Sequence, residues 1–285
     1  LLGWCGEMVY CSIGQRRLCE KRGFLNGPLC PIYGHGALVV LLVLDGGCEH
    51  PALTFLLGAL LTSLVEYVTS YAMEKLFRMR WWDYSHYRFH INGRVCLLNS
   101  VLFGLASVFL CHAANPPIAA RLSGLFAAGA GVPLALALGV LYGADIAISV
   151  RSAIRIGDRL AKLHAIHREL AEKLDALRAE QQRAAEAQRQ RLEEAVSAAR
   201  QSAGERAALA RQSVQARLEP LADLGDEFAL RLDEAKNEAQ QKLHALYQCQ
   251  DFFERRLLRS FPALRSLRHG EALARWREYL ARRKK

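Results

Sequence analysis

"PALTFLLGALLTSLVEYVTSYAMEKL", residues 51–76, decides what kind of protein this is. Residues 51–65 carry no charge, and the run exceeds the roughly 20 residues a helix needs to cross a bilayer. One carboxylate, Glu66, stands deep inside it. Spacings of three and four place Thr62 or Ser63, Glu66 and Ser70 on one helix face. A carboxylate at mid-membrane is costly, roughly 2.5–3.5 kcal/mol for an Asp on insertion scales, so it needs a partner or a wet cavity.

Working outward, the same apolar character recurs. The chain has 285 residues, 52% hydrophobic, with a net charge of +10. The mean hydropathy of +0.03 averages two unlike parts. Residues 1–150 are apolar with short polar breaks and read as a transmembrane domain. Residues 151–285, rich in Arg, Glu, Gln, Ala and Leu, read as a long helical tail with a basic C-terminus. The positive charge lies mostly in loops and tail, which points to membrane lipid and not to nucleic acid.

The opening "LLGWCGEMVY" reads as the end of a first span. Residues 32–44 form a short second run, with Pro28, Pro31, Gly34 and Gly36 suggesting a broken start. Residues 95–114 and 123–150, the latter holding Pro133, supply the fourth and fifth. The expected fold is all-α: a polytopic transmembrane bundle of about five spans, the first truncated, followed by a coiled-coil-like tail. Cations alternate by loop. Arg16, Arg17, Lys21 and Arg22 fill the first, "DGGCEH" has none, and Lys75, Arg78, Arg80, Arg88 and Arg94 fill the third. Only Arg121 stands in the fourth, and Arg151, Arg155 and Arg159 open the tail. The positive-inside rule then places the N-terminus outside and the tail in the cytosol.

The block "RWWDYSHYRFHINGRVC", residues 80–96, falls between two apolar runs. One reading is an aromatic belt, with Trp81, Trp82, Tyr84 and Tyr87 at headgroup level and arginines reaching phosphates. That reading does not account for the W-W-D-Y-S order or the Asn92–Gly93 turn. Glu7, Glu66 and Asp145 are polar residues within spans, with Ser149 four residues after Asp145 and His35 in the second run. Two readings stay open: bonding between neighbouring helices, or the lining of a polar cavity. The cysteines form no C-x-x-C pair and no His/Cys cluster at ligand spacing, so neither a metal nor another cofactor is expected. No nucleophile–base motif occurs, and the chain is not expected to be an enzyme.

Four motifs in order carry a resemblance: "LGWCGE" (2–7), "RGFLNGPLCPIYGHGAL" (22–38), "EYVTSYAMEKLFRMRWWDYS" (66–85) and "FHINGRVCL" (89–97). They resemble the Putative ABC-transporter type IV family, bacterial integral membrane proteins regarded as transporter permeases. His35 and His90 depart from the family's usual residues. The resemblance implies a permease-like subunit in the bacterial cytoplasmic membrane, with no substrate attached to it. No G-x-x-x-x-G-K-[ST] occurs in the chain, so an ATPase partner would be a separate subunit. The alternative is a non-transport scaffold in which the spans anchor a cytosolic rod. The two loop signatures are expected to meet at the inner mouth, Asn26 and Tyr33 near Trp81, Asp83 and Arg94. With Glu7, Glu66, Ser70, Arg80, Trp82, Tyr84, Asn92 and Asp145, these are the candidate site residues.

In the tail, Leu160, Leu163, His167, Leu170, Leu174 and Leu177 follow a 3–4 alternation, and the seam returns at Leu218, Leu221, Leu224, Phe228, Leu232, Leu243 and Leu246. Such a seam suits a helical partner or a homo-oligomer as well as a fold-back within one chain. Gly204 and the Pro220–Gly225 pair are the alternative turning points. A turn at Gly204 makes the arms equal and returns "RRLLRSFP" (255–262) to where the tail begins, against headgroups or under Trp81 and Trp82 through Arg–aromatic contact. The loop charges carry a direct test. An impermeant maleimide applied to intact cells is expected to reach Cys48 and Cys111 and to miss Cys249; labelling of Cys249 overturns the orientation.

Overall fold

The computed structural model describes residues 1–15, 23–44, 50–201, 206–248 and 251–282. Cys48, Cys249 and the Gly204 turning point lie outside the described residues. The chain is mostly helical and divides into two compact units, Leu1–Leu160 with Gln250–Lys285, and Ala161–Cys249.

The first unit opens with α1 (Leu2–Gln15) and α2 (Pro31–Leu44). Pro31 opens α2 at a position where a missing N–H costs nothing. Gly34 and Gly36 lie within regular helix, so the expected broken start of this segment is not present. Then come α3 (Pro51–Phe77), β1 (Met79–Arg80), β2 (His90–Ile91), β3 (Val95–Cys96) and α4 (Leu97–Phe109). A wide π turn, Leu110–Ala114, joins α4 to α5 (Asn115–Ala127), and α6 (Gly131–Gln201) follows. Residues 95–96 therefore pair as a strand before the apolar helix begins.

The fourth and fifth apolar runs differ from their expected bounds. Pro116 and Pro117 suggest a break, yet the wide turn just before them leads straight into α5. Pi turns of this kind let a helix absorb local irregularity. The true reversal is at residues 128–130, where Gly129 has a positive φ. Ser123 and its neighbours accordingly belong to α5, and Pro133 falls in the tolerant first turn of α6. Three helical stretches among the described residues are long and apolar enough to cross a membrane: Pro51–Phe77, Leu97–Ala127 and the start of α6. The helix α2 is apolar but shorter.

Small and polar residues govern the α3–α4 contact. A Cβ added at Gly58 would fall 2.4 Å from Ser107 Cβ, so only glycine allows this approach. Ser63 and Ser100 hydroxyls meet at 2.7 Å, and Thr54 Oγ1 lies 3.2 Å from His112 Nε2. Close backbones and hydroxyl pairs are how helices associate where lipid is as apolar as leucine. The opposite face of α3 leaves Leu56, Leu60, Leu64 and Val68 each more than half exposed. That stripe matches a lipid-facing surface.

The C-terminal segment belongs to this same unit. It comprises α8 (Phe252–Ser260), β4 (Arg265–Ser266) and α9 (Gly270–Arg282). β4 pairs antiparallel with β1, Met79 opposite Ser266 and Arg80 opposite Arg265. Arg155 reaches Asp251 at 3.2 Å and Arg159 reaches Glu254 at 3.0 Å. Trp276 is fully buried, with the Arg159 guanidinium over its ring.

The second unit holds the rest of α6 and α7 (Arg206–Gln248). Here Lys173 pairs with Glu238 at 3.4 Å and Glu180 with Arg231 at 3.2 Å. Rising numbers on one helix meet falling numbers on the other, so the helices run antiparallel. Exposed pairs of this kind contribute only ~0–1 kcal/mol each; they report register more than they hold it. Of the expected seam, Leu163 and Phe228 are buried and Leu170, Leu174, Leu232 and Leu243 are half-buried; Ala239, outside that seam, is buried as well. α7 continues through Pro220 and Gly225, so no turn occurs at that pair. The composition change at residue 150 falls within α6.

The glycine contact is testable. Gly58→Val is expected to lower the thermal midpoint of the purified protein by an overpacking cost of ~1–3 kcal/mol. Gly124→Ala, where an added Cβ meets nothing within 4 Å, should leave it unchanged. Equal behaviour of the two variants contradicts the α3–α4 packing.

Candidate functional site

The chain reverses at Arg78, whose φ of 55° is left-handed, and the block that follows folds back over the last turns of α3. Ile91, Asn92, Gly93 and Arg94 form a tight turn closed by Arg94 N–H to Ile91 O at 2.9 Å. Asn92 and Gly93 both have positive φ, the requirement of a type I′ hairpin turn and the reason for the Asn-Gly pair. Gly93 is doubly constrained, since an added Cβ would fall 2.5 Å from both Asp83 Oδ1 and Ser85 Oγ. His90, one of the unusual family positions, accepts the Gly93 N–H through Nδ1 at 3.1 Å. His35, the other, contacts the Pro31 carbonyl of its own helix.

Tyr67, Tyr71 and Glu74 form the face of α3 that receives this block. Their spacing of four and three sets them in one row. Glu74 binds two arginines, Arg94 Nη2 at 3.0 Å and Arg80 Nε at 3.3 Å. The Arg94 guanidinium also lies 5.3 Å from the ring centroids of both Tyr67 and Tyr71. Asn92 donates to Tyr67 Oη at 3.0 Å, and Trp82 Nε1 donates to Arg94 O. None of these three receiving residues was among the sequence candidates; the row spacing was the signal that could have found them.

Trp81 does not occupy a headgroup belt. It is 3% exposed and meets Phe24, Phe77 and Phe261 edge-on at 5.2, 5.6 and 5.0 Å. Such pairs contribute ~0.5–1.5 kcal/mol each beyond their buried area. Phe89 and Ile91 of the same block stay exposed. At Trp81 the returning C-terminal segment thus docks through Phe261, and beside it through β1–β4 pairing, in place of the expected stacking of Arg255, Arg256 or Arg259 on Trp81 or Trp82. Leu257 and Leu258 are buried in this unit, so they do not dip into lipid, while Arg255 and Arg259 stay exposed. Arg256 donates to the carbonyls of Gly23 and Phe24, at 3.2 and 2.7 Å.

Asp83 receives the Ser85 hydroxyl and N–H. Those bonds, with Arg265 and Arg80 nearby, hold its carboxyl below the usual carboxylate range. Asn26 does not bond to Trp81, Asp83 or Arg94. Its backbone and side-chain N–H groups go to Asp145 Oδ1 at 2.8 and 2.7 Å, and Gly27 N–H goes to Oδ2 at 2.8 Å. Asp145 thereby closes the first loop onto α6, and Ser149 adds a contact to Asn26 at 3.2 Å. Tyr33 donates to Glu7 Oε2 at 2.6 Å.

Glu66 is 3% exposed. Oε1 accepts the Tyr84 hydroxyl at 3.2 Å. Asn99 of α4 stands near the carboxylate, but Oε2 has no hydrogen-bond partner. Glu66 borders a small cavity of about 80 Å³ between α2, α3 and α4, with Tyr33, Thr62, Ser107, Val40 and Phe103 among its walls. Ser70, one turn further along α3, is buried, while Ser63 turns to Ser100 on α4. The thirteen sequence candidates therefore fall into separate groups. Arg80, Trp81, Trp82, Asp83, Asn92 and Arg94 build the folded block, Tyr84 links it to Glu66, Asn26 joins Asp145, and Tyr33 joins Glu7. Among the described residues, no group of three or more His, Cys, Asp or Glu side chains could hold a metal ion.

A family model, described as Putative ABC-transporter type IV, matches residues 1–150. The chain belongs to this family. The matched region holds the 80–96 block and the α3 face that receives it, while Arg256, Phe261 and β4 come from beyond it. Membership makes this an ABC-transporter-related membrane protein and fits a transporter-like role more than an enzymatic one. No curated protein and no solved structure matches the chain.

The ion pair under α8 sets a pH-dependent expectation. Glu254 is 1% exposed; burial pushes its carboxyl up, against the pull of Arg159. Removing one partner of a buried pair costs ~3–5 kcal/mol, so Arg159→Leu should expose the C-terminal segment to limited proteolysis. A carboxyl raised in the folded state favours folding at low pH and loses that contribution as pH rises through its pKa. Protection in Arg159→Leu should therefore recover on acidification from pH 8 to 5. In Arg159→Leu/Glu254→Gln it should not vary with pH. Protection that weakens on acidification contradicts this assignment.

Proposed function

We propose that this chain is the membrane-embedded, permease-like subunit of an ABC-type system in the bacterial cytoplasmic membrane. In this reading residues 1–150 form the transmembrane domain with about five spans. The N-terminus is outside, residues 151–285 form a cytosolic coiled-coil-like tail, and ATP hydrolysis resides on a separate chain. Family membership and the three long apolar helices support the membrane part. The observation that carries the transport part is Glu66: a buried carboxylate with one unsatisfied oxygen beside a cavity. A purely structural carboxylate in an apolar slab gains from full hydrogen bonding. Glu66, Tyr33, Thr62 and Ser107 then line the substrate-side cavity, and Asp145, Asn26 and the 80–96 block form its cytosolic cap.

A second reading has its own support. The C-terminal segment folds back and pairs with β1, an arrangement that suits a scaffold anchoring a cytosolic helical rod for a helical partner or a second copy. Affinity purification from native membranes separates the two. Recovery of an ATPase chain in fixed stoichiometry is the expected result. Recovery of rod-binding proteins without any ATPase rejects the permease reading and leaves the scaffold.

A further inference from the structure

The polar groups around the Glu66 cavity share one property. Thr62 Oγ1 donates to Gly58 O at 2.7 Å, and Ser107 Oγ donates to Phe103 O at 2.8 Å. The Tyr33 hydroxyl donates its hydrogen bond to Glu7 Oε2. Glu66 Oε1 is taken by Tyr84 and Oε2 has no partner. Each hydroxyl proton is already spent on a neighbour, so what these groups offer a guest is lone pairs. Hydroxyls whose protons are committed, beside a carboxylate oxygen with no partner, call for a guest that donates.

Size and wall chemistry narrow the guest further. A hard metal ion takes about six or more oxygen ligands, and the walls here include Val40, Phe103 and other apolar side chains that supply none. One water needs only about 10–15 Å³ measured in this way, so a cavity of about 80 Å³ holds more than a single one. A carboxylate at one side and apolar walls at the other match a short alkyl chain bearing an ammonium head. We infer that the cavity between α2, α3 and α4 is a binding site for a small primary alkylammonium ion, its head hydrogen-bonded to Glu66 Oε2 and its alkyl part against Val40 and Phe103. This deepens the permease reading and rests on it, since it names the class of substrate that the cavity would take.

The test uses the full chain purified in lipid nanodiscs and radiolabelled n-propylammonium chloride in equilibrium dialysis near pH 7. Saturable binding is expected, displaced by unlabelled propylammonium and not by 1-propanol or by sodium chloride at equal concentration. Glu66→Gln should abolish it. Should that variant fail to fold, Gly36→Ala decides. An added Cβ there meets only Thr62 Cγ2, at an ordinary 3.7 Å, so the fold tolerates it while the methyl narrows the cavity. Affinity should then fall by at least about tenfold. No saturable binding, undiminished binding in folded Glu66→Gln or in Gly36→Ala, or displacement by sodium or 1-propanol as effective as by propylammonium overturns the inference. Recovery of an ATPase from native membranes does not depend on these results. A chain that captures the ATPase and ignores the amine keeps the permease reading and loses only this site.

Discussion

The hydrogen bond from Tyr84 to Glu66 is the contact on which the organisation of the first unit turns. It joins a carboxylate buried in the longest early apolar helix to the loop that Asn92 and Arg94 also fasten to the neighbouring Tyr67. Ionised carboxylates are expensive in apolar surroundings unless hydrogen-bonded, so Glu66 draws the loop inward. Once Tyr84 is drawn in, Trp82, Arg94 and Asn92 can reach the α3 face formed by Tyr67, Tyr71 and Glu74. The Asn92–Gly93 turn then returns the chain to α4.

A second carboxylate, the half-buried Asp145, performs a comparable task at the other loop. Asp145 takes N–H groups from Asn26 and Gly27, which ties the first loop to the helix that continues into the tail. Phe24 of the same loop packs on Trp81, and the carbonyls of Gly23 and Phe24 accept from Arg256. Two loops and the C-terminal segment therefore share one aromatic cluster around Trp81. Arg256 of α8 and Phe261 just after it thus connect the C-terminal segment to both loops. This provides a physical route by which the C-terminal end can act on the loops, whichever of the two functional readings holds.

Much of this was legible from pattern alone. The apolar run 51–76, the Asn-Gly turn and the Leu-rich seam are local signals with a known period or turn geometry, and each has its counterpart in α3, in the β2–β3 hairpin and in the α6–α7 pair. The bounds expected for the fourth and fifth apolar runs differ from the helices, because the backbone carries Pro116 and Pro117 into α5 after a widened turn and breaks only at residues 128–130. The site was legible only in its members. Asn26 and Asp145 are 119 positions apart, and Arg256 meets Phe24 across 232; no periodicity encodes such pairings. Trp81 looked interfacial because tryptophan is common there, and its burial comes from Phe24, Phe77 and the returning Phe261 together. Of the two alternative turning points, Pro220–Gly225 is set aside for a local reason: α7 runs through both residues as one helix.

A double-mutant cycle on Glu66 and Tyr84 tests the central claim most directly. Glu66→Gln, Tyr84→Phe and the double variant are compared with the parent chain by thermal or denaturant unfolding in the same detergent. Directly bonded residues couple by ~0.5–3 kcal/mol, so the double variant should lose less than the two single losses added together. Strict additivity would mean that the buried carboxylate and the loop tyrosine do not depend on each other, and the account of how the loop is held would be wrong.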